Sequence, residues 1–271
     1  MTFFLPLGIG SNWQDNETRY LLRSLEKNFK ESFDIIIYCQ IKPDWLIINH
    51  KIVDRYYPER LLKIHKGIRE HENYFDVLNK VYLFVNSEDC PESFIFIYDD
   101  ILLIKEITSE NILNIPQCKY TKKMFSIYQE TRYGKTINQA YMLSGAEWNF
   151  EHHLPLIYNR DHLKELFKKF PFYEMNIPYS LATLYFNIYK DEILFRPLSV
   201  INNYKAGFEG FTERIATFKQ DTLKDIEMAV EDKTWINYND TGLEWFTPYY
   251  KGFPLQDWIK SKFSEKSKFE V

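Results

Sequence analysis

Two unbroken apolar runs constrain the fold of this chain most strongly, FDIIIYC at 33–39 and SFIFIYDD at 93–100. Continuous apolar sequence is typical of strands buried on both faces of a parallel sheet, whereas half-exposed strands alternate. FFLPLGI at 3–9 and LIINHKIVD at 46–54 predict two further short strands. Because a helical pattern separates the first two strands and another precedes the last, we expect an α/β fold with an open, mostly parallel sheet flanked by helices.

Periodic apolar residues predict helices near 16–28, 74–85, 158–170 and 178–190. The last two lie in a part of the chain without a clear strand pattern, which predicts a helical subdomain beside the sheet. We therefore expect two parts in one compact unit: an α/β part at 1–119, and a helical subdomain with a C-terminal part at 120–271.

Length and composition exclude several classes of protein. A chain of 271 residues that is 45% hydrophobic can bury a full core. Its net charge of -4 does not indicate a general nucleic-acid or membrane surface. Cys39, Cys90 and Cys118 are too widely spaced for a zinc motif and too few for a disulfide framework. With no basic leader and no apolar run of roughly 18 residues, we expect a soluble, cytoplasmic protein.

Asp99 and Asp100 end the most apolar of the predicted strands. Ligands of open α/β sheets bind beyond the carboxyl ends of the strands, where these two carboxylates would lie. Paired carboxylates there suit Mg²⁺ or Mn²⁺ bridging to a substrate diphosphate. The alternative is that one aspartate caps a turn and the other is merely exposed.

The segment after the first predicted strand offers candidates for binding an anion. It contains three small residues, Gly8, Gly10 and Ser11. The helix that follows has an N-terminus that favours negative charge. Arg19 and Arg23 share one face of this helix and could hold a diphosphate in bidentate fashion. The alternative for this pair is an ordinary surface interaction, for example between Arg23 and Glu26.

Two further groups could take part in acid–base chemistry. His152 and His153 are adjacent in EHHLP, and histidine is the usual general base near neutral pH. One ring of such a pair can instead be structural. WINYND, at 235–240, predicts another strand that ends in a carboxylate, Asp240. Its alternative is a turn, because Asn-Asp-Thr-Gly is good turn sequence.

Seven segments occur in the order found in the "stealth" proteins, which are sugar-1-phosphate transferases of capsule-polymer synthesis and lysosomal-enzyme tagging. The match spans roughly residues 8 to 270, and GIGSNWQDNETRYLLRS is most similar to the short glycosyltransferase-like relatives of phages and bacteria. The segments that resemble the family are DNETRYLLRSLEKN, IIIYCQIKPDWL, FIFIYDDILL, HHLP, LYFN, INYND and SEKSKFE.

The resemblance implies a glycosyltransferase-A-like sheet and a nucleotide-sugar donor bound by the part at 1–119, with the part at 120–271 completing the active site. It implies that Asp99 and Asp100 hold the metal and the diphosphate, that His153 acts as base or leaving-group acid, and that Asp240 completes the site. The donor pocket it implies consists of Gly10, Ser11, Asn16, Glu17, Arg19 and Arg23.

This sequence also departs from the family. The usual first region is replaced by LPLGIGSNW, the asparagine of the Asn-Asp-Asp element is Tyr98, and YSLATLYFN lacks the usual arginine. Both transfer of a glycosyl group and transfer of a glycosyl phosphate therefore stay open.

These patterns predict a metal-dependent transferase that uses a nucleotide sugar, with a UDP-sugar as the expected donor, and a glycan hydroxyl as acceptor. A modified DNA base is an alternative acceptor, which would need a basic channel such as Lys164, Lys168 and Lys169 could provide, and which the net charge disfavours. A non-catalytic carbohydrate-binding module is the other alternative. Its sugar-stacking residues would be Tyr56, Tyr57, Tyr249 and Tyr250.

Overall fold

A computed structural model gives the arrangement of most of the chain. The structure describes residues 1–8, 16–64, 66–67, 69–113, 117–119, 131–146, 148–151, 154–190, 195–197, 207–208, 212–214, 227, 230–231, 234–237 and 254–271. Within these residues, no helix combines the length and the apolar character that crossing a membrane requires.

The main sheet has five strands, which are β1 (Thr2–Leu7), β2 (Asp34–Cys39), β3 (His50–Ile52), β4 (Ser93–Phe96) and β7 (Leu156–Asn159). Their order is β3-β2-β1-β4-β7. The first four strands are parallel, and β7 pairs antiparallel with β4 at the edge. The predicted α/β fold with a mostly parallel sheet is thereby confirmed.

Smaller strands extend this framework. They are β5 (Ile101–Leu103), β6 (Gln117–Lys119), β8 (Phe195–Pro197), β9 (Gly207–Phe208), β10 (Thr212–Arg214) and β11 (Trp235–Asn237). Strands β5, β11, β10 and β9 form a second sheet in that order, and β6 pairs with β8. The strand predicted in WINYND is confirmed as β11, although residues 238–240 lie outside the described residues.

The helices of the described residues include the four that were predicted and others that were not. They are α1 (Asn16–Asn28), α2 (Glu59–Ile64), α3 (Glu72–Val85), α4 (Ser109–Leu113), α5 (Arg132–Ser144), α6 (Arg160–Lys169), α7 (Leu181–Ile188) and α8 (Pro254–Lys262). The helix expected at 158–170 begins two residues later, because Tyr158 and Asn159 end strand β7. The side chain of Asn159 then caps α6 by accepting hydrogen bonds from the backbone N–H groups of Asp161 and His162.

Alternation along β1 shows why the sheet is covered on both sides. Phe3 and Leu5 enter the cluster that α1 covers, whereas Phe4 enters the cluster on the side of α3. Phe4 stacks on Phe84 of α3 with ring centroids 4.1 Å apart. Successive side chains of a strand point to opposite faces, so both faces of this sheet must be apolar. The continuous apolar runs of the sequence reflect this requirement.

Strand β7 was not predicted, and it lies in the main sheet although its residues belong to the part at 120–271. The register joins Phe96 to Leu156 and Ser93 to Asn159. The division of the chain at residue 119 stays a prediction.

Candidate active site

The carboxyl ends of the central strands define the edge of the sheet where a site was predicted. Leu7 of β1 is paired with Cys39 of β2, and the N–H of Ile97 donates to the carbonyl of Phe4 at 3.0 Å. Asp99 and Asp100 form the turn that joins β4 to β5. Asp100 is buried and Asp99 is partly exposed, so the pair does lie beyond the end of a buried strand.

Helix α1 is attached to the strand that leaves this turn. The hydroxyl of Ser24 accepts a hydrogen bond from the N–H of Leu103 at 3.1 Å. The side chain of Asn28 donates to the carbonyl of Leu103 at 2.5 Å. Asn16 and Glu17, two of the predicted donor-pocket residues, form the beginning of α1, and Glu17 is buried. Gly10 and Ser11, which precede them, lie outside the described residues.

Strand β11 ends beside the residue that follows the aspartate turn. It pairs antiparallel with β5, so that Asn237 lies opposite Ile101, the residue after Asp100. Asp240 follows three positions later and lies outside the described residues. Asn237 is the last described residue of this strand, and the place of Asp240 in the site stays a prediction.

The segment before β7 arrives at the same edge. Leu156 lies opposite Phe96, so Pro155 and Leu154 precede β7 at the end of β4 that leads to Tyr98 and Asp99. Leu154 is fully buried in the cluster that contains Ile97 and Ile101. His153 lies outside the described residues.

Glu151 belongs to this segment and was missed in the sequence analysis. Burial raises the pKa of Tyr98, and the negative charge of Glu151 raises it further. Burial also raises the pKa of Tyr158, and the negative charge of Glu151 adds to that rise. The Ser180 hydroxyl donates a hydrogen bond to Glu151. In the sequence, the one feature that marks Glu151 is its position directly before the histidine pair in EHHLP.

The two arginines predicted to clamp a diphosphate have protein partners instead. Arg23 makes a bidentate pair with Glu270, with both N–O distances at 2.7 Å, and donates to the carbonyl of Phe263 at 3.0 Å. Arg19 donates to Asn16 at 2.8 Å, lies 3.5 Å from Glu270 and stacks over the ring of Trp45.

The surface pair considered for Arg23 and Glu26 is also replaced, since Glu26 accepts a hydrogen bond from the backbone N–H of Lys268. Burial of the Glu270 carboxylate explains why the guanidinium of Arg23 is held here, because a charge removed from water needs an opposite charge beside it. Arg23 is therefore held in an ion pair with Glu270, and its role in binding a diphosphate stays a prediction.

A buried ion pair beneath the carboxyl end of β1 was also missed. The ammonium of Lys80 donates to the carbonyl of Leu7 at 2.8 Å and to Asp76 at 2.6 Å. Asp76 in turn accepts from the N–H of Tyr56 at 3.1 Å. Lys80 is 1% exposed, so this pair is part of the core and holds two chain segments at the edge of the site. The signal was an Asp–Lys pair at i and i+4 within an apolar helix.

The donor chemistry of Asp99 and Asp100 fits a divalent cation such as Mg²⁺ or Mn²⁺, because carboxylate oxygens are the ligands these ions prefer. No cluster of three or more histidine, cysteine or acidic side chains that could hold a metal is found among the described residues. Two protein carboxylates suffice where substrate phosphates and water supply the remaining ligands.

Comparison with known proteins gives similarity to solved structures alone. No protein-family model matches the chain, and no curated protein matches it. The apo structure of the bifunctional glycosyltransferase WbbM is 9% identical over 98% of this chain and 50% of its own, with a TM-score of 0.48. The glycosyltransferase GlyE of Streptococcus pneumoniae TIGR4 is 9% identical over 98% of this chain and 60% of its own, with a TM-score of 0.46.

The galactosyltransferase LgtC, in complex with donor and acceptor sugar analogs, is 9% identical over 88% of this chain and 87% of its own, with a TM-score of 0.41. The chain thus spans about half the length of WbbM and about three fifths of that of GlyE. At such identities and TM-scores the likeness carries no argument about activity. The resemblance to the stealth proteins stays a prediction.

Proposed function

We propose that this protein is a metal-dependent transferase that moves a glycosyl or glycosyl-1-phosphate group from a nucleotide sugar to a hydroxyl group of a glycan. One observation carries the proposal. The Asp99–Asp100 turn, the end of β11 and the segment before β7 meet at one edge of the sheet. Our proposal is that Asp240, which follows β11, and His153, which precedes β7, complete a site around Asp99 and Asp100, as binding of a metal diphosphate requires.

Asp99 and Asp100 would hold Mg²⁺ or Mn²⁺ against the diphosphate of the donor, for which a UDP-sugar is our choice. The bound cation would supply neutralisation of the charge that develops on the leaving group. The N-terminus of α1, with Asn16, would face the donor, because its backbone N–H groups favour an anion. Lys80 would keep the end of β1 in place through the Leu7 carbonyl. His153 would serve as base or leaving-group acid, and Asp240 would complete the site.

Turnover of the donor tests this proposal. A panel of UDP-sugars is incubated with the protein and Mn²⁺, and release of UDP or UMP is followed by phosphorus NMR. Asp100→Ala should reduce turnover by at least about 100-fold, because loss of the electrostatic stabilisation of a leaving group costs several kcal/mol. Asp161→Asn, an exposed change on α6, is the control and should leave turnover unchanged.

The products also distinguish the two reactions, since UDP reports transfer of the sugar and UMP reports transfer of the sugar phosphate. His153→Ala should abolish turnover while donor binding, measured by calorimetry, persists. Full activity of Asp100→Ala would end the proposal.

A further inference from the structure

Glu151 is held in place by a buried polar network. Asn149 is fully buried and its side-chain oxygen accepts from the N–H of Glu151 at 2.8 Å and from the hydroxyl of Thr183 at 2.9 Å. The amide of Asn149 donates to the hydroxyl of Tyr133 at 3.3 Å. Ser180, which caps α7, donates to the Glu151 carboxylate. The carboxylate is thus fixed in position before any ligand arrives.

Tyr133 is linked to Glu151 through Asn149, whose amide donates to the Tyr133 hydroxyl and whose oxygen accepts from the N–H of Glu151. Burial raises the pKa values of Tyr74 of α3, Tyr98 after β4 and Tyr158 of β7, and the negative charge of Glu151 raises them further. Tyr158 is buried, whereas Tyr74, Tyr98, Tyr133 and Glu151 itself are partly exposed. The carboxylate and three of the tyrosines therefore each keep some contact with solvent. Tyr98 precedes Asp100 by two residues, so this tyrosine adjoins the aspartate turn.

We propose that Glu151, together with the partly exposed Tyr74, Tyr98 and Tyr133, forms the subsite that binds the acceptor sugar. The inference rests on the proposed function, because it assigns the acceptor side of the same site. A carboxylate accepts hydrogen bonds from two hydroxyl groups, and bonds to an ionised acceptor are the stronger ones. Aromatic rings offer rigid apolar faces with a polar hydroxyl group at one end. A sugar ring presents both kinds of surface, namely neighbouring hydroxyl groups and an apolar C–H face.

Fixed geometry strengthens this assignment. Sites that bind small molecules combine apolar and aromatic lining with a few polar groups in defined positions. Here the polar group is anchored through Asn149 and Ser180, and the rings come from three different elements, α3, α5 and the segment after β4. A fixed carboxylate together with partly exposed tyrosines favours a ligand with several hydroxyl groups and no negative charge of its own.

Binding of simple sugars tests the subsite directly. The probes are the methyl glycosides of glucose, galactose, mannose and N-acetylglucosamine, observed by saturation-transfer NMR with and without UDP and Mn²⁺. We expect at least one glycoside to bind the unmodified protein. Glu151→Gln should weaken that binding by about tenfold or more, because a hydrogen bond to a charged group is lost. Glu165→Gln, on the exposed face of α6, is the matched control and should bind as the unmodified protein does.

A second pair of variants distinguishes loss of binding from a general effect on folding. Tyr74→Ala should weaken glycoside binding, whereas Tyr173→Ala, which removes a tyrosine that is 43% exposed elsewhere, should not. Thermal unfolding of each variant establishes that it is folded.

Calorimetry with UDP and Mn²⁺ separates this inference from the proposed function. If UDP binds but no glycoside does, or if Glu151→Gln binds the glycoside normally, the subsite is refuted and the proposed function is not. If a glycoside binds through Glu151 but UDP does not bind, the subsite is supported and the donor chemistry is refuted.

Discussion

Two half-buried regions of this protein each centre on a glutamate, and their surroundings differ. In the C-terminal clasp, residues 264–271, Glu270 is held by the guanidinium group of Arg23 and lies 3.5 Å from that of Arg19. At the proposed acceptor subsite, Glu151 accepts from the Ser180 hydroxyl and is linked through Asn149 to the hydroxyl of Tyr133. The first carboxylate is 3% exposed in its side chain, whereas the second is partly open to solvent.

This difference separates a structural charge from one that can meet a ligand. Glu270 ties the clasp to α1, and the clasp also reaches the loop after β2, where the N–H of Val271 donates to the carbonyl of Trp45. Asp76 belongs to the same structural class, since Lys80 pairs with it in the core. Removing a cation from either pair should therefore affect stability, whereas neutralising Glu151 should affect binding.

The largest expected effect on stability comes from Lys80→Met. It leaves Asp76 buried without the ammonium group and also removes the bond to the Leu7 carbonyl. We expect the free energy of unfolding to fall by about 3–5 kcal/mol, as for other broken buried pairs. Urea unfolding measures this, with Lys63→Met on the exposed side of α2 as control. Equal unfolding midpoints for the two variants would show that the pair of Lys80 with Asp76 does not stabilise the fold.

Arg23→Met should have a smaller effect. The Arg23 side chain is 11% exposed, so its pair with Glu270 is less completely buried than that of Lys80. We expect a loss of about 2 kcal/mol in urea unfolding, between the values for surface and buried pairs. The matched control is Arg69→Met, since Arg69 pairs with Glu72 at the surface and is 53% exposed. A loss no greater than that of the control would show that the clasp is not held by this pair.

The dependence of stability on pH should reveal the same pair. Burial alone would raise the pKa of Glu270, but hydrogen bonds from Arg23 and from the N–H of Ser267 outweigh it, and the pKa is lowered from 4.5. A lowered folded-state pKa gives stability that is present above pH 4.5 and is lost as the pH falls through the folded value. Glu270→Gln should therefore be less stable than the unmodified protein at neutral pH, and the difference should shrink below pH 4.5. A difference that stays constant in acid would contradict this.

The smallest expected effect on stability is that of Glu151→Gln. A glutamine oxygen can still accept from Ser180, and the site is partly solvated, so the free energy of unfolding should change by less than about 1 kcal/mol. Urea unfolding of Glu151→Gln and Glu270→Gln under the same conditions compares their free energies of unfolding directly. Should Glu151→Gln prove the more damaging of the two, Glu151 would be a structural charge like Glu270, and the contrast between the regions would disappear.

Local sequence was sufficient for much of the framework. The apolar runs predicted β1, β2 and β4, and the periodic segments predicted α1, α3, α6 and α7, because burial on one or both faces leaves a direct mark on short stretches of sequence. The four-residue strand β7 was missed because it lies directly before α6, and its last two residues, Tyr158 and Asn159, were attributed to the helix. A short edge strand is defined by its partner, here β4, more than by its own composition.

The sequence by itself determined where the chain could be buried and which strand would deliver a pair of carboxylates to its end. Only the tertiary structure decided the partners of the charged side chains. Arg23 meets Glu270 across 247 positions of sequence, and Glu151 meets the Ser180 hydroxyl across 29 positions. The physical reason is that burial is a property of each side chain, whereas an ion pair or a hydrogen bond depends on which distant segment lies within about 3 Å.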